Sequence, residues 1–493
     1  IVPFNIFASE QPDNTKVPWT GFTQGTGTTI DPYIIKTPED LNQVRNYPSK
    51  CFKLGNDIDL GVYPFNTGNG WDPIDNFKGV FDGDGHSIKN LFINRPSEYD
   101  CGLFGLIQFD SCGQVTIKNF SLFNVNITGF DNVGGVLGQV TKPTISRVQE
   151  TIVYFTNIHV YGTVKAVSDS VGAILGKLDY YWDYLAYDMY RCSARANIYA
   201  GPDAIKCGGL VGCSMNATIR SKMQECFFIG HLYDAKQGGG LIGRGYASEV
   251  VKNCYANVTF HNFKEKASGI MGSGWVNAIG EIGIEVAMCY SVMRLDNCGG
   301  VTAVPYVATP PVNSEYWKGT NPRYPIRVTN CFYDKSVLSG YDYQGGKTTE
   351  ELALQSSFTD WDFENTWSID LENSYAQLRN MFTPINEVED NDTIENANTV
   401  VEDILVKASV YKEGDVDFYM FTPAESDIYT FESIGSTDVC GELYGLYVSD
   451  DNKTDNDANN AVKPLFYSLN DNRSAGDKNF KITFNLIKDK KYY

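Results

Sequence analysis

The sequence is poor in what most chemistry needs. No run of eighteen apolar residues occurs in its 493 residues, which excludes a membrane-spanning helix. Basic residues are few, 40 Lys and Arg against 60 Asp and Glu, for a net charge of −20 and a pI near 4.7. That balance argues against nucleic acid or an anionic membrane as partner, because phosphate binding needs clustered cations. Of the four histidines, His159, His231 and His261 have no partner at metal or nucleophile spacing along the chain. Neither HExxH nor GxSxG is present, and no CxxC pair of the zinc-site kind occurs. The chain opens on "IVPFNIF", without Met or a basic-then-apolar leader, and stops within the β-like "ITFNLIKDKKYY". Both ends read as cuts in something longer.

What is abundant points to β structure with tight turns: 46 glycines, 31 tyrosines and an aromatic share of 13%. Self-similarity at a period of 20–50 residues is the signature of a stacked-repeat fold. "VGGVLG" (133–138) returns as "VGAILG" (171–176), "CGGLVG" (207–212) and "GGGLIG" (238–243), with "CGLFG" before and "SGIMG" after. The last glycines, Gly105, Gly138, Gly176, Gly212, Gly243 and Gly272, are 33, 38, 36, 31 and 29 residues apart. A second phrase keeps step with the first: "IKNFSL", "FTNIHV", "YRCSAR", "QECFFI", "KNCYAN", "AMCYSV" and "TNCFYD", from 117 to 334. Two markers in constant order, with two or three short strands between, predict the coils of a parallel β-solenoid. Val136, Ile174, Leu210, Leu241 and Ile270 then line its inner wall, with glycines where positive φ or close backbone approach is needed.

Five of the twelve cysteines, Cys192, Cys226, Cys254, Cys289 and Cys331, hold one repeat position that Phe120 and Ile158 fill earlier. They read as a buried column of small polarizable side chains rather than as ligands. Whether Cys101 bridges Cys112, or Cys207 bridges Cys213, stays open. Asp82, Asp84 and His86 in "FDGDGHSI" invite a metal or acid/base reading, but Asp and Gly at that spacing make a tight turn. The run "DYYWDYLAYDMY" (179–190) brings Asp179, Asp183 and Asp188 together among five tyrosines and a tryptophan. It reads as a loop bulging from a coil, either stacking on sugar rings or folding over its own flank.

The stretch "DPYIIKTPEDLNQVRNYPSKCFKLGNDIDLG" (31–61), "FKGVFDGDGHSIKNLFI" (77–93) and the "GGLVG" phrases resemble bacterial surface proteins with GLUG repeats; "SSFTDWDFENTWSID" (356–370) resembles the segment closing such arrays. The resemblance covers roughly 25–382. It implies a right-handed parallel β-helix with a display role, secreted or attached to the cell surface, and no catalytic residues. After "NMFTPIN" the composition shifts, and 386–493 resembles the bacterial pre-peptidase C-terminal domain, a β-sandwich here short of its closing strands. Some relatives of that domain, the collagen-binding modules of clostridial collagenases among them, bind calcium through Glu-x-Glu-x-Asn-Asp. That pattern stands here as Glu387, Glu389, Asn391 and Asp392, and Asp415 or Asp417 of "GDVDFY" could complete a Ca²⁺ set. A solvated acidic hinge is the plainer alternative.

The expected organisation is therefore all-β: an N-terminal segment (1–28), a solenoid (29–382) and a truncated sandwich (386–493). The expected role is a non-catalytic extracellular spacer or adhesive whose partners are an extracellular protein or glycan, or copies of itself. The alternatives are the ancillary region of a large secreted peptidase or glycan-degrading enzyme, and a subunit of an extracellular filament.

Overall fold

The computed structural model describes residues 19–109, 113–142, 150–179, 185–215, 220–246, 249–275, 283–307, 326–341, 343–369, 375–379, 381, 385–386, 391–400, 406–407, 416–423, 427–433, 440–447, 463–470, 481–487 and 490–493. They divide into two compact units, Ile1–Met381 and Phe382–Tyr493.

One coil shows the plan of the first unit. Thr151–Ala166 runs along two walls, Val171–Gly172 forms a third and Leu175–Asp179 a fourth. Each pairs in parallel with its counterpart one coil earlier, Gln114–Gly129, Val133–Gly134 and Leu137–Thr141. The stacking yields one 19-stranded and two six-stranded sheets, a parallel β-solenoid of about six coils. Side chains alternate in and out along each strand. In this coil Val153, Phe155, Ile158, Val160 and Val164 turn inward and are fully buried.

Val136, Ile174, Leu210, Leu241 and Ile270 are fully buried, as the inner-wall reading requires. They lie not within a strand but at a corner, because "VGGVLG" straddles two sheets: Val133–Gly134 belongs to one and Leu137–Thr141 to the next. The corner itself is hydrogen-bonded from coil to coil, with Gly135 N donating to Ala173 O (2.9 Å) and Val136 N to Ile174 O (3.2 Å). Positive φ is not the reason for the final glycines, none of which lies in the left-handed region. Close approach is. A Cβ on Gly138, Gly176 or Gly243 would sit 2.4, 2.5 or 2.6 Å from a backbone atom of the preceding coil.

Left-handed residues mark the second phrase instead. Asn119, Asn157, Arg191, Glu225, Asn253, Met288 and Asn330 all have φ between 50° and 59° and turn the chain between the first two walls. Each column cysteine follows one of them directly.

The run 179–190 corrects the loop expectation. Residues 180–184, with Asp183, lie outside the described residues, but Leu185–Tyr190 is a regular strand paired with the coils on either side. Tyr187 and Met189 point into the core, and Asp188 faces Lys222 at 3.7 Å. Alternation decided this: in "LAYDMY" every second residue is bulky and apolar, which suits a two-sided strand.

After the last coil a short helix, Thr349–Leu352, leads into a strap that runs back along the outside of the solenoid. Trp361 and Trp367 pack on each other (4.3 Å between ring centroids) and on the outward aromatic column Phe227, Tyr255 and Tyr290. Further along the strap Arg191 Nη2 donates to Arg379 O at 2.8 Å. At the other end, Trp19, Phe22, Tyr33, Tyr47 and Phe52 close the first coil with a ring cluster.

The second unit is also built from strands. Asp427–Glu432 pairs antiparallel with Lys481–Leu486, Gly441–Tyr447 antiparallel with Lys463–Asn470, and Asn398–Val400 parallel with Tyr419–Phe421. Phe421, Leu443, Ile482, Leu486 and Tyr492 form its core.

Candidate functional site

A solenoid makes sites by stacking: residues about one coil apart in sequence become neighbours about 4.8 Å apart. Three polar constellations arise this way, along with the cysteine column.

The column is continuous. Cys192 N donates to Cys226 Sγ (3.4 Å) and Cys226 N to Cys254 Sγ (3.3 Å), and each of these thiols also reaches a backbone carbonyl. None of the eleven described cysteines is in a disulfide, Cys207 and Cys213 included; Cys112 lies outside the described residues. Burial raises the Cys192 and Cys254 thiols well above their ordinary value and, outside the column, pushes Cys213 up to about 12, whereas hydrogen bonds from neighbouring column thiols pull Cys226 down to about 5 and Cys289 well below its ordinary value despite their burial. Asp82, Asp84 and His86 form the expected turn. Asp84 sits at φ 51°, Asp82 Oδ1 accepts from its backbone N (3.0 Å), and Lys118 and Lys53 pair with the two carboxylates.

The first constellation is Ser193, His159 and Asn157. Ser193 Oγ lies 2.8 Å from His159 Nδ1, and Asn157 Oδ1 lies 3.2 Å from Nε2. The order imitates a nucleophile, its base and an orienting group. Its environment does not suit turnover. Ser193 and His159 are both buried, and burial, with Arg191 nearby, pushes the imidazole down to about 3, far too weak a base at neutral pH. The second is inside the core. Glu249 is fully buried and accepts from Tyr187 Oη (2.9 Å) and Ser214 Oγ. Burial pushes its carboxyl up to about 7, against the pull of those two hydrogen bonds. The third is on the surface: His231, His261 and Asp296 on three successive coils. Linear spacing hid all three, since their hydrogen-bonded pairs are 30 to 62 residues apart, the neighbouring Asn157 and His159 excepted. Only the coil register, His231↔Thr259 and His261↔Asp296, brings them together.

An open depression of about 430 Å³ near the last coils is lined by Lys266, Thr302, Tyr306 and Tyr343 among aliphatic residues. Among the described residues its lining holds no carboxylate, and its titratable groups are Lys266, Tyr306 and Tyr343. Among the described residues no cluster of three or more His, Cys, Asp or Glu is arranged to hold a metal.

Of the calcium candidates, Glu387, Glu389 and Asp415 lie outside the described residues. Asn391, Asp392 and Asp417 are described, and the fold joins the two clusters: Phe418 N donates to Asn391 O at 2.9 Å. Asn391 is buried, yet neither atom of its carboxamide has a hydrogen-bond partner among the described residues. A buried amide left so costs about 1–3 kcal/mol, and a hard cation taking its oxygen would offset that. To that extent the site fits Ca²⁺.

No protein-family model matches the chain. Among curated proteins it is similar to halomucin of Haloquadratum walsbyi, 33% identical over 170 residues, which are 32% of this chain and 2% of that protein. It is similar to a provisionally named Gly-rich membrane protein of Evansella cellulosilytica, 41% identical over 113 residues (22% of this chain, 13% of the relative). It is also similar to the immunoglobulin A1 protease of Streptococcus pneumoniae, 28% identical over 178 residues (35% of this chain, 8% of the relative). The matched stretches thus span between 2 and 13% of the length of these relatives. A solved structure from Bacteroides ovatus, provisionally assigned as an immunoglobulin A1 protease, shares 19% identity over 73% of this chain and 95% of its own, with a TM-score of 0.43.

Proposed function

We propose that the chain is an extracellular, non-catalytic segment of a longer surface or secreted protein: a rigid β-solenoid spacer or adhesive, followed by a calcium-binding β-sandwich. The observation that carries this reading is how the side chains are used. Inward columns are filled with aliphatic, aromatic and thiol groups, and outward polar residues bond from coil to coil, as in Asn124 to Asn90 (2.7 Å) and Asn297 to Asn262 (2.6 Å). Such a rod derives its stiffness from nearest-neighbour stacking and needs no cofactor for it. The resemblance to GLUG repeats and the names of the curated relatives support a surface or secreted setting.

Incubating the purified chain with immunoglobulin A1, casein and mucin-type glycans, then analysing by mass spectrometry, should give no new products. Cleavage that disappears in Ser193→Ala would sink the non-catalytic reading. The rival reading, an ancillary part of a large secreted peptidase, draws on the Streptococcus relative; a peptidase signature in the adjoining coding sequence would favour it.

In the second unit, Glu387, Glu389, Asn391 and Asp392, with Asp415 or Asp417, are the proposed Ca²⁺ ligands. Calorimetry of the whole chain with CaCl₂ should give one site that weakens at least tenfold in Asn391→Ala. Absence of heat at millimolar calcium would end the proposal.

A further inference from the structure

We infer that His231 and His261 form a transition-metal site on the outward face of the solenoid, taking one divalent ion of the Zn²⁺ class with water completing its shell.

The argument begins with a proton. His261 Nδ1 lies 2.8 Å from Asp296 Oδ2, and an ionised carboxylate can only accept, so Nδ1 carries the hydrogen. In the neutral ring that leaves a lone pair on Nε2. This lone pair accepts from His231 Nδ1 at 2.8 Å, so two imidazole nitrogens from adjacent coils face each other where an ion could replace the shared proton. The arrangement matches the usual build of a histidine metal site, in which the ligating imidazole donates its other N–H to a carboxylate that fixes the tautomer and raises ligand basicity.

Rigidity and charge also favour it. Tyr233 stacks on His261 with ring centroids 4.5 Å apart and planes 11° apart, and Tyr199 stacks on Tyr233 at 4.3 Å. The rings are therefore held before any ion arrives, which lowers the ordering cost of binding. Within the column Tyr233 is covered on both faces, by Tyr199 and by His261. The column suits an ion held by ring nitrogens better than a stacked sugar. His261 and Asp296 keep 18% and 67% of their side-chain surface exposed, so the site is open to water. The nearby cation Arg294 is turned aside to Asn257 Oδ1 (2.7 Å).

At Zn–N distances of about 2.0–2.1 Å, tetrahedral geometry puts two nitrogens about 3.4 Å apart, so the nitrogens separate by about half an ångström and the rings tilt to turn both lone pairs toward the ion. His231 moves its proton from Nδ1 to Nε2 as the ion takes its place. Imidazole donors select a borderline ion and not Ca²⁺, which prefers hard oxygens. With two protein ligands the site is exchangeable and micromolar at best.

The test is calorimetry of the whole, metal-stripped chain with ZnCl₂ at pH 7.5. The expected result is one micromolar site, lost in His231→Gln and in His261→Gln and weakened about tenfold in Asp296→Asn. A measurement without substitutions accompanies it: Zn²⁺ should protect both histidines from diethyl pyrocarbonate, read by peptide mass spectrometry. Binding weaker than 1 mM, binding indifferent to both glutamine variants, or labelling unchanged by zinc would each overturn the inference. Because calcium is neither the probe nor an imidazole ligand, the outcome is separate from that of the second unit.

Discussion

Single residues in this fold sit in environments set by the coils above and below them. Glu249 is the plainest case. Its folded carboxyl titrates near 7, above the ordinary value of 4.5, because the core disfavours its charge. A group raised in this way contributes stability that is complete below the unfolded value and is lost as pH climbs through the folded one. Between pH 5 and pH 8 this one group should therefore cost on the order of 3 kcal/mol. Glu249→Gln keeps the shape and cannot ionise, so urea midpoints of the variant should lie closer together at those two pH values than those of the parent. Met288 offers a prediction of opposite sign. It holds φ 51° at a corner where neighbouring coils use Asn253 and Asn330. A long side chain there pays roughly 1 kcal/mol that Asn largely avoids. Met288→Asn should raise the denaturation midpoint by about that amount.

At the scale of the element, the glycine phrase is a corner whose two halves serve different sheets. Its final glycine lies against the backbone of the preceding coil, and backbone cannot rotate away as a side chain can. Gly176→Ala places a Cβ 2.5 Å from Asn132 C and Val133 N. Overpacking of this kind costs about 1–3 kcal/mol, and here it also prises two coils apart. Equilibrium unfolding should show the loss, and hydrogen exchange should place it in the walls around 133–141 and 171–179. The thiol column tolerates more, since a small polarizable group fits where Phe120 and Ile158 stand in earlier coils.

Across the first unit, the strap decides how the solenoid's outer aromatic column is covered. Trp367 is fully buried against Tyr255, Tyr290 and Trp361. Removing such a ring costs about 3–5 kcal/mol when the site cannot collapse. Trp367→Ala should free the strap before the coils themselves melt, seen as early proteolytic cuts between 350 and 381 with the coil signature in circular dichroism retained. A single cooperative loss of both would show that strap and coils fold as one unit.

Repetition made the solenoid legible in the sequence. Two markers in fixed order, and aliphatic residues at fixed places within them, are what stacked coils require, because every coil buries the same face against the next. The turn at Asp82–His86 and the buried cysteine column followed from the same local chemistry of small and turn-forming residues. The pairings between coils were decided only by the tertiary structure. Ser193 with His159, Glu249 with Tyr187, and His231 with His261 each depend on coil lengths that vary from 28 to 42 residues. A change of one residue in a coil would turn a partner to the other face. Periodicity predicts that walls exist; register chooses which side chains meet on them.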